Sequence, residues 1–128
     1  MNEKIKYWID LSDYDYDTAV AMQLSGRYLY VGFMCHQTIE KILKAYFNLD
    51  SQEPAPYSHS LSYIAKKAGL YDSFTDTFKD FIDVLEPLYI QTRYPSHKEA
   101  LMKGLTKAKC EEILKKTKEL QLWIKAKL

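Results

Sequence analysis

Apolar positions along this chain recur every three to four residues, the spacing that lays one stripe along a helix. From Glu3 to Leu24, Trp8, Leu11, Ala19 and Met22 keep that spacing while Asp10, Asp13 and Asp17 form a separate stripe, which predicts a first helix. Ser25-Gly26 supplies its stop, because glycine takes the left-handed conformation past a helix end without a Cβ clash. Residues 28–47 are apolar nearly all round, with Leu29, Val31, Phe33, Met34, Ile39, Ile42, Leu43, Tyr46 and Phe47, which predicts a central helix covered on most sides.

Asn48 to Ser58 carries Asp50, Ser51, Pro54 and Pro56 without periodicity and reads as a loop of above-median length. A short helix is predicted from about His59 to Ala68, stopped by Gly69. A fourth runs from about Ser73 to Gln91 with Phe74, Phe78, Phe81, Leu85 and Leu88 inward, and Pro87 is placed to kink it. Ser96-His97-Lys98-Glu99 has the form of a capping box, so a last helix is expected to start near His97 and reach the C-terminus, bent at Gly104. The reading is all-α: residues 1–128 as one domain, an up-and-down antiparallel bundle of four long helices plus one short cross-piece.

Composition agrees with helices. Of 128 residues 47% are hydrophobic, enough for a core, and four glycines with four prolines are few for a fold of many short strands. A net charge of +1 makes no general case for electrostatic capture of nucleic acid. The ends are nevertheless opposed: residues 1–25 hold Glu3, Asp10, Asp13, Asp15 and Asp17, whereas residues 103–128 hold eight lysines against Glu111, Glu112 and Glu119. That split fits antiparallel packing of the terminal helices or a solvated charged face. Cys35 and Cys110 lie far apart with no C-x-x-C, which indicates neither a disulfide framework nor a metal site and implies reduced thiols. The polar start Met1-Asn2-Glu3-Lys4 and the lack of a run of about 18 apolar residues lead to the expectation of a cytoplasmic protein with no membrane segment.

Two constellations offer chemistry. On the second helix, spacing of four puts His36, Glu40 and Lys44 on one face with Gln37 and Lys41 beside them. This stripe is either a plain solvent edge or a site in which an imidazole beside a carboxylate carries protons. The second is Tyr89 to His97, where Pro95 breaks the helix. There Arg93 brings a fork for phosphate, Tyr94 a stacking face and the helix starting at His97 its unpaired N–H groups. The alternative is an interhelical turn whose arginine caps the preceding helix or pairs with Asp17. P-loop, dinucleotide, zinc-protease and nucleophile-elbow patterns are absent, and no cofactor is implied.

Several segments in order resemble the HEPN family (higher eukaryotes and prokaryotes nucleotide-binding), specifically its small stand-alone prokaryotic branch. Trp8 is followed by Asp17-Thr18-Ala19-Val20-Ala21, Gly26-Arg27-Tyr28 and Gly32-Phe33. His36 to Ala45 looks like the family's Q-x-x-E-K-x-x-K-A helix, His59-Ser60-Leu61 stands where that branch has H-D-L, and Tyr89 with Arg93-Tyr94-Pro95 looks like its R-Y-P motif. The resemblance implies a helical bundle, usually a homodimer, with the R-Y-P segment near a groove at the dimer interface. It also implies a separate minimal nucleotidyltransferase as partner in a toxin-antitoxin-like module. The leading expectation is a nucleotide- or RNA-binding component with a phosphate groove around Arg93. Asp17, His36, Glu40, Lys41, Lys44 and Tyr94 are its ligand-side residues. The second is a metal-independent endoribonuclease in which Arg93 holds phosphate and His97 assists the ribose 2'-hydroxyl. Here only three residues separate Arg93 from His97, a departure from the R-x4-6-H spacing of such nucleases. A non-catalytic helical adaptor is the third.

Overall fold

Asn2 opens the chain's first helix: its side chain accepts from Ile5 N at 2.9 Å and satisfies one of the unpaired donors of the first turn. The computed structural model describes residues 2–91 and 95–128. Among them are six α-helices, no strand and one 3-10 turn: α1 (Glu3–Leu24), α2 (Tyr28–Phe47), α3 (Leu61–Lys67), the turn at Tyr71–Ser73, α4 (Asp76–Gln91), α5 (Pro95–Gly104) and α6 (Lys107–Lys125). Gly26 and Gly69 end α1 and α3 with φ of 75° and 73°, the left-handed conformation that glycine alone adopts without steric cost.

α1 and α2 form an antiparallel hairpin, with Trp8 against Lys44 and Ser12 donating to the Thr38 carbonyl at 2.7 Å. Ser12 and Ala19, both fully buried, are small enough to bring the two backbones close. α2 is central and touches α1, α3, α4, α5 and α6. Its Val31, Cys35, Ile39, Ile42 and Leu43 have no exposed surface, and each large apolar side chain contributes about 1.5–3 kcal/mol of burial. Gly32 belongs to this packing, since a Cβ there would stand 3.0 Å from the Leu88 side chain.

α6 returns along α1: Tyr16 Oη donates to the Leu114 carbonyl at 3.1 Å and Gln121 Nε2 to Ser12 Oγ at 3.0 Å. Among the described residues the opposed charges of the two ends meet in one close ion pair, Lys125 Nζ to Asp13 Oδ1 at 2.8 Å. Lys107, Lys109 and Lys115 remain exposed.

The expected single last helix is corrected to two. Leu105 is buried between them, and Thr106 caps α6 by accepting from Lys109 N at 3.1 Å. A threonine that satisfies a free N–H starts a new helix where the sequence suggested only a bend. α5 begins at Pro95, ahead of the expected capping serine, in keeping with proline's fitness for the first helical position. The third helix is two residues shorter at its start than expected, because Ser60 caps it and accepts from Tyr63 N at 3.3 Å.

Cys35 and Cys110 are both free and fully buried. Burial pushes Cys35 up to about 12, a contact with Thr117 offsetting little of it, and Cys110 up to about 11. Alkylation by iodoacetamide is therefore expected to run at least ~100-fold slower in the native protein than in urea, because the thiolate forms only on opening. Fast native labelling, followed by mass spectrometry, would contradict this packing.

Candidate functional site

Glu40 is the centre of a buried polar cluster. Its side chain is 2% exposed, and each carboxylate oxygen has its own partner. His59 Nδ1 lies 2.9 Å from Oε1, and Lys44 Nζ lies 3.1 Å from Oε2. His36 Nδ1 is 3.9 Å from Oε1. A carboxylate accepts, so Nδ1 of His59 is the donor and Nε2 is left as the acceptor nitrogen of the neutral ring. The His59 side chain is 44% exposed, so this single imidazole links a buried charge to solvent.

The chain segment that carries His59 is held from both sides. Asn48, at the end of α2, donates to the carbonyls of Ser51 at 3.1 Å and Glu53 at 2.8 Å, which pins the start of the loop. Beyond it, Glu86 of α4 accepts from Ser62 N at 2.8 Å, placing negative charge at the first turn of α3. α4 also supplies Tyr89, whose ring stacks on His59 with centroids 4.1 Å apart and planes 24° apart. His36 and Phe33 lie at 5.2 and 5.7 Å from the same ring. His59, Ser60, Glu86 and Tyr89 line a pocket of about 260 Å³.

His36 is not charged at neutral pH. Burial lowers its pKa to about 4, and the Glu40 carboxylate offsets only part of that, so the 3.9 Å approach is no ion pair near pH 7. The charged pair of the cluster is Glu40 with Lys44. The arrangement can therefore do two things chemically: orient the His59 imidazole for proton transfer, and present a flat stack beside the pocket to a planar or phosphate-bearing ligand.

The structure brings together His36, Glu40 and Lys44, as their spacing of four suggested, but not on a solvent edge. Their residues are 0%, 2% and 7% exposed, so that alternative is corrected: α3, α4 and the preceding loop cover the stripe. Lys41 turns the other way, its ammonium on Gln37 Oε1 at 2.7 Å and Asp15 Oδ2 at 3.3 Å. Asp15 is partly buried, and burial raises its carboxyl above the ordinary value against the pull of Lys41. Asp17 is exposed on α1 and makes none of these contacts. Arg93 and Tyr94 lie outside the described residues, and so does the side chain of His97 within α5. Sequence reasoning passed over His59 as a site residue and took in Tyr89 only as the first residue of the Tyr89 to His97 constellation, with no role of its own. Each had one signal, His59 in the His-Ser-Leu triplet before α3 and Tyr89 four positions ahead of Arg93. Among the described residues no group of three His, Cys, Asp or Glu side chains is arranged to hold a metal ion, and no helix is long and apolar enough to cross a membrane.

The described residues form six helices around a buried α2, with the polar cluster opening beside the end of α4. The HEPN domain model matches residues 5–127, and the chain belongs to that family. It is also similar in fold to the crystal structure of TT1696 from Thermus thermophilus. The TM-score is 0.83 at 20% identity, over 99% of this chain and 100% of that one. Comparison with curated proteins returns no match.

Proposed function

We propose that this chain is a nucleotide- or RNA-binding component whose ligand lies across His59 and Tyr89 and is held at phosphate by Arg93. In this reading α1, α2, α4 and α6 are the up-and-down frame, the chain works as a homodimer, and a separate nucleotidyltransferase is its partner in a toxin-antitoxin-like pair. The observation that carries it is the half-exposed His59 ring, fixed on a buried carboxylate and stacked on Tyr89 four positions before Arg93. His36 and Lys44 are too buried to touch a ligand there and act through Tyr89 and Glu40. Arg93 has the planar fork that grips phosphate through two bonds.

The test is Arg93→Ala and His59→Ala, each assayed for RNA oligonucleotide, nucleotide and nucleotidyltransferase binding and for melting temperature. Each is expected to weaken binding roughly tenfold or more, the loss of one charge-assisted or stacked contact, with folding retained. Unchanged binding with a melting temperature lower by several degrees would make both residues structural and remove the reading.

The Glu40–His59 pair favours a second reading, metal-independent RNA cleavage. An imidazole oriented by a carboxylate takes the 2'-hydroxyl proton as that oxygen attacks phosphorus, and the 5'-oxygen leaves with a proton taken from water, giving a 2',3'-cyclic phosphate and a 5'-hydroxyl. His97 is the other candidate for this proton. Cleavage lost in His59→Ala and kept in His97→Ala assigns it to His59, the reverse assigns it to His97, and no cleavage by the native protein excludes the reading.

A further inference from the structure

A second cavity, larger than the one at His59, lies between the first turns of α1 and the loop before α3. It encloses about 470 Å³, within the range of small-molecule sites. Its walls are Tyr7, Trp8, Pro54, Pro56 and Tyr57, and its floor holds Lys44 and Asn48. We propose that this groove binds a planar heteroaromatic ring that carries N–H donors.

Three observations carry the proposal. The first is the wall. Tyr57 is 100% exposed and Tyr7 58% exposed, both beside Trp8, so flat aromatic surface faces solvent where a ring can stack. Tyr7 and Trp8 meet edge to face at 5.1 Å, which stiffens that wall. The second is the floor. Asn48 is 1% exposed, and its Nδ2 is spent on the carbonyls of Ser51 and Glu53, which fixes the amide's orientation. Its Oδ1 is left buried without a hydrogen bond. An unmet buried acceptor is costly, and an N–H that reaches it relieves that cost. The third is charge. Lys44 is 7% exposed and sits 5.4 Å from the Trp8 ring centroid, but its ammonium is neutralised by Glu40, while Glu3 and Lys4 on the rim carry opposite charges and Glu3 adds an acceptor. A neutral ring with donors suits this balance better than an anion does. The groove is also braced, since Lys4 of α1 donates to the Gln52 carbonyl of the loop.

The site goes beyond the binding reading above and does not rest on it, because Tyr57, Trp8 and Asn48 do not line the pocket at His59, although the Tyr57 ring lies 6.3 Å from the His59 ring. The two tryptophans make the test direct. Trp8 lines the groove, whereas Trp123 packs on Phe74 and Phe78 elsewhere. In amide and indole N–H spectra of the full chain, adenosine or indole is expected to shift the Trp8 indole and the Asn48 side-chain amide saturably and to leave Trp123 unmoved. Tyr57→Ala, a change at a fully exposed residue, is expected to weaken binding about fivefold, the worth of one stacked ring. N6,N6-dimethyladenosine, which has the ring without the amino N–H, is expected to bind at least about fivefold more weakly than adenosine. His59→Ala is expected to leave the Trp8 response intact, which separates this groove from the other pocket. No saturable shift at Trp8 with either probe at millimolar concentration would overturn the proposal. So would shifts confined to His59 and Tyr89, or equal binding by Tyr57→Ala.

Discussion

Glu40→Ala is expected to lower the folding free energy by about 3–5 kcal/mol, the usual cost of removing one partner from a buried ion pair. Lys44 would stay 7% exposed with its ammonium unpaired, and His59 Nδ1 would lose its acceptor. For a domain of this size that corresponds to roughly 10–20 °C in melting temperature. Glu40→Gln, which keeps the size and one carbonyl oxygen, is expected to cost less. The pair Glu40→Leu with Lys44→Met is expected to recover much of the loss, because the desolvated charge disappears along with its partner. Urea denaturation of the three variants decides the point. A loss below about 1 kcal/mol for Glu40→Ala would mean that the cluster is solvated and that its charges contribute as surface pairs do.

The second large effect is on pH. The His36 imidazole has an ordinary pKa of 6.5 and is held at about 4 in the native fold, chiefly by burial. Between those values the unfolded chain binds a proton that the folded one does not, so stability rises with pH across that window. The contribution is fully present above pH 6.5, is lost progressively as pH falls from 6.5 to 4, and changes no further below. The difference amounts to about 3 kcal/mol. Glu40, His59 and Lys41 are the titratable groups that act on this ring, and Tyr89 covers one of its faces. Asp15 works in the opposite sense, since burial raises its carboxyl above 3.8 and favours the native state at low pH. Urea midpoints measured from about pH 7.5 to 4 are expected to fall for the native sequence, and the slope should flatten in His36→Phe, which keeps the ring and removes the titration. Equal slopes in the two proteins would show that another group governs acid unfolding.

Local signals were enough for α1 and α2. Their bounds at Glu3–Leu24 and Tyr28–Phe47 follow from apolar periodicity, with Gly26 between them free to take φ of 75°. Phe74, Phe81, Leu85 and Leu88 were legible as core for the same reason, and all are 5% exposed or less. Membership of the HEPN family was equally legible, because its motifs are short runs whose order survives in one dimension. The break between α5 and α6 was harder to see. A bend at Gly104 and a fresh cap at Thr106 look alike until Lys109 N is seen to donate to the threonine.

The direction of the polar stripe is a different kind of fact. Spacing of four determines that His36, Glu40 and Lys44 share a face, but not whether that face meets water. Whether it does is settled by segments well further along the chain: the loop that carries His59, held by Asn48 and by Glu86 at its two ends, and α4, which lays Tyr89 over both histidines. Helix period is a property of neighbours in the chain and can be read from it directly. Burial, and with it the lowered pKa of His36 and the hold of Glu40 on His59 Nδ1, depends on contacts between distant residues, and only the packed tertiary structure decides those.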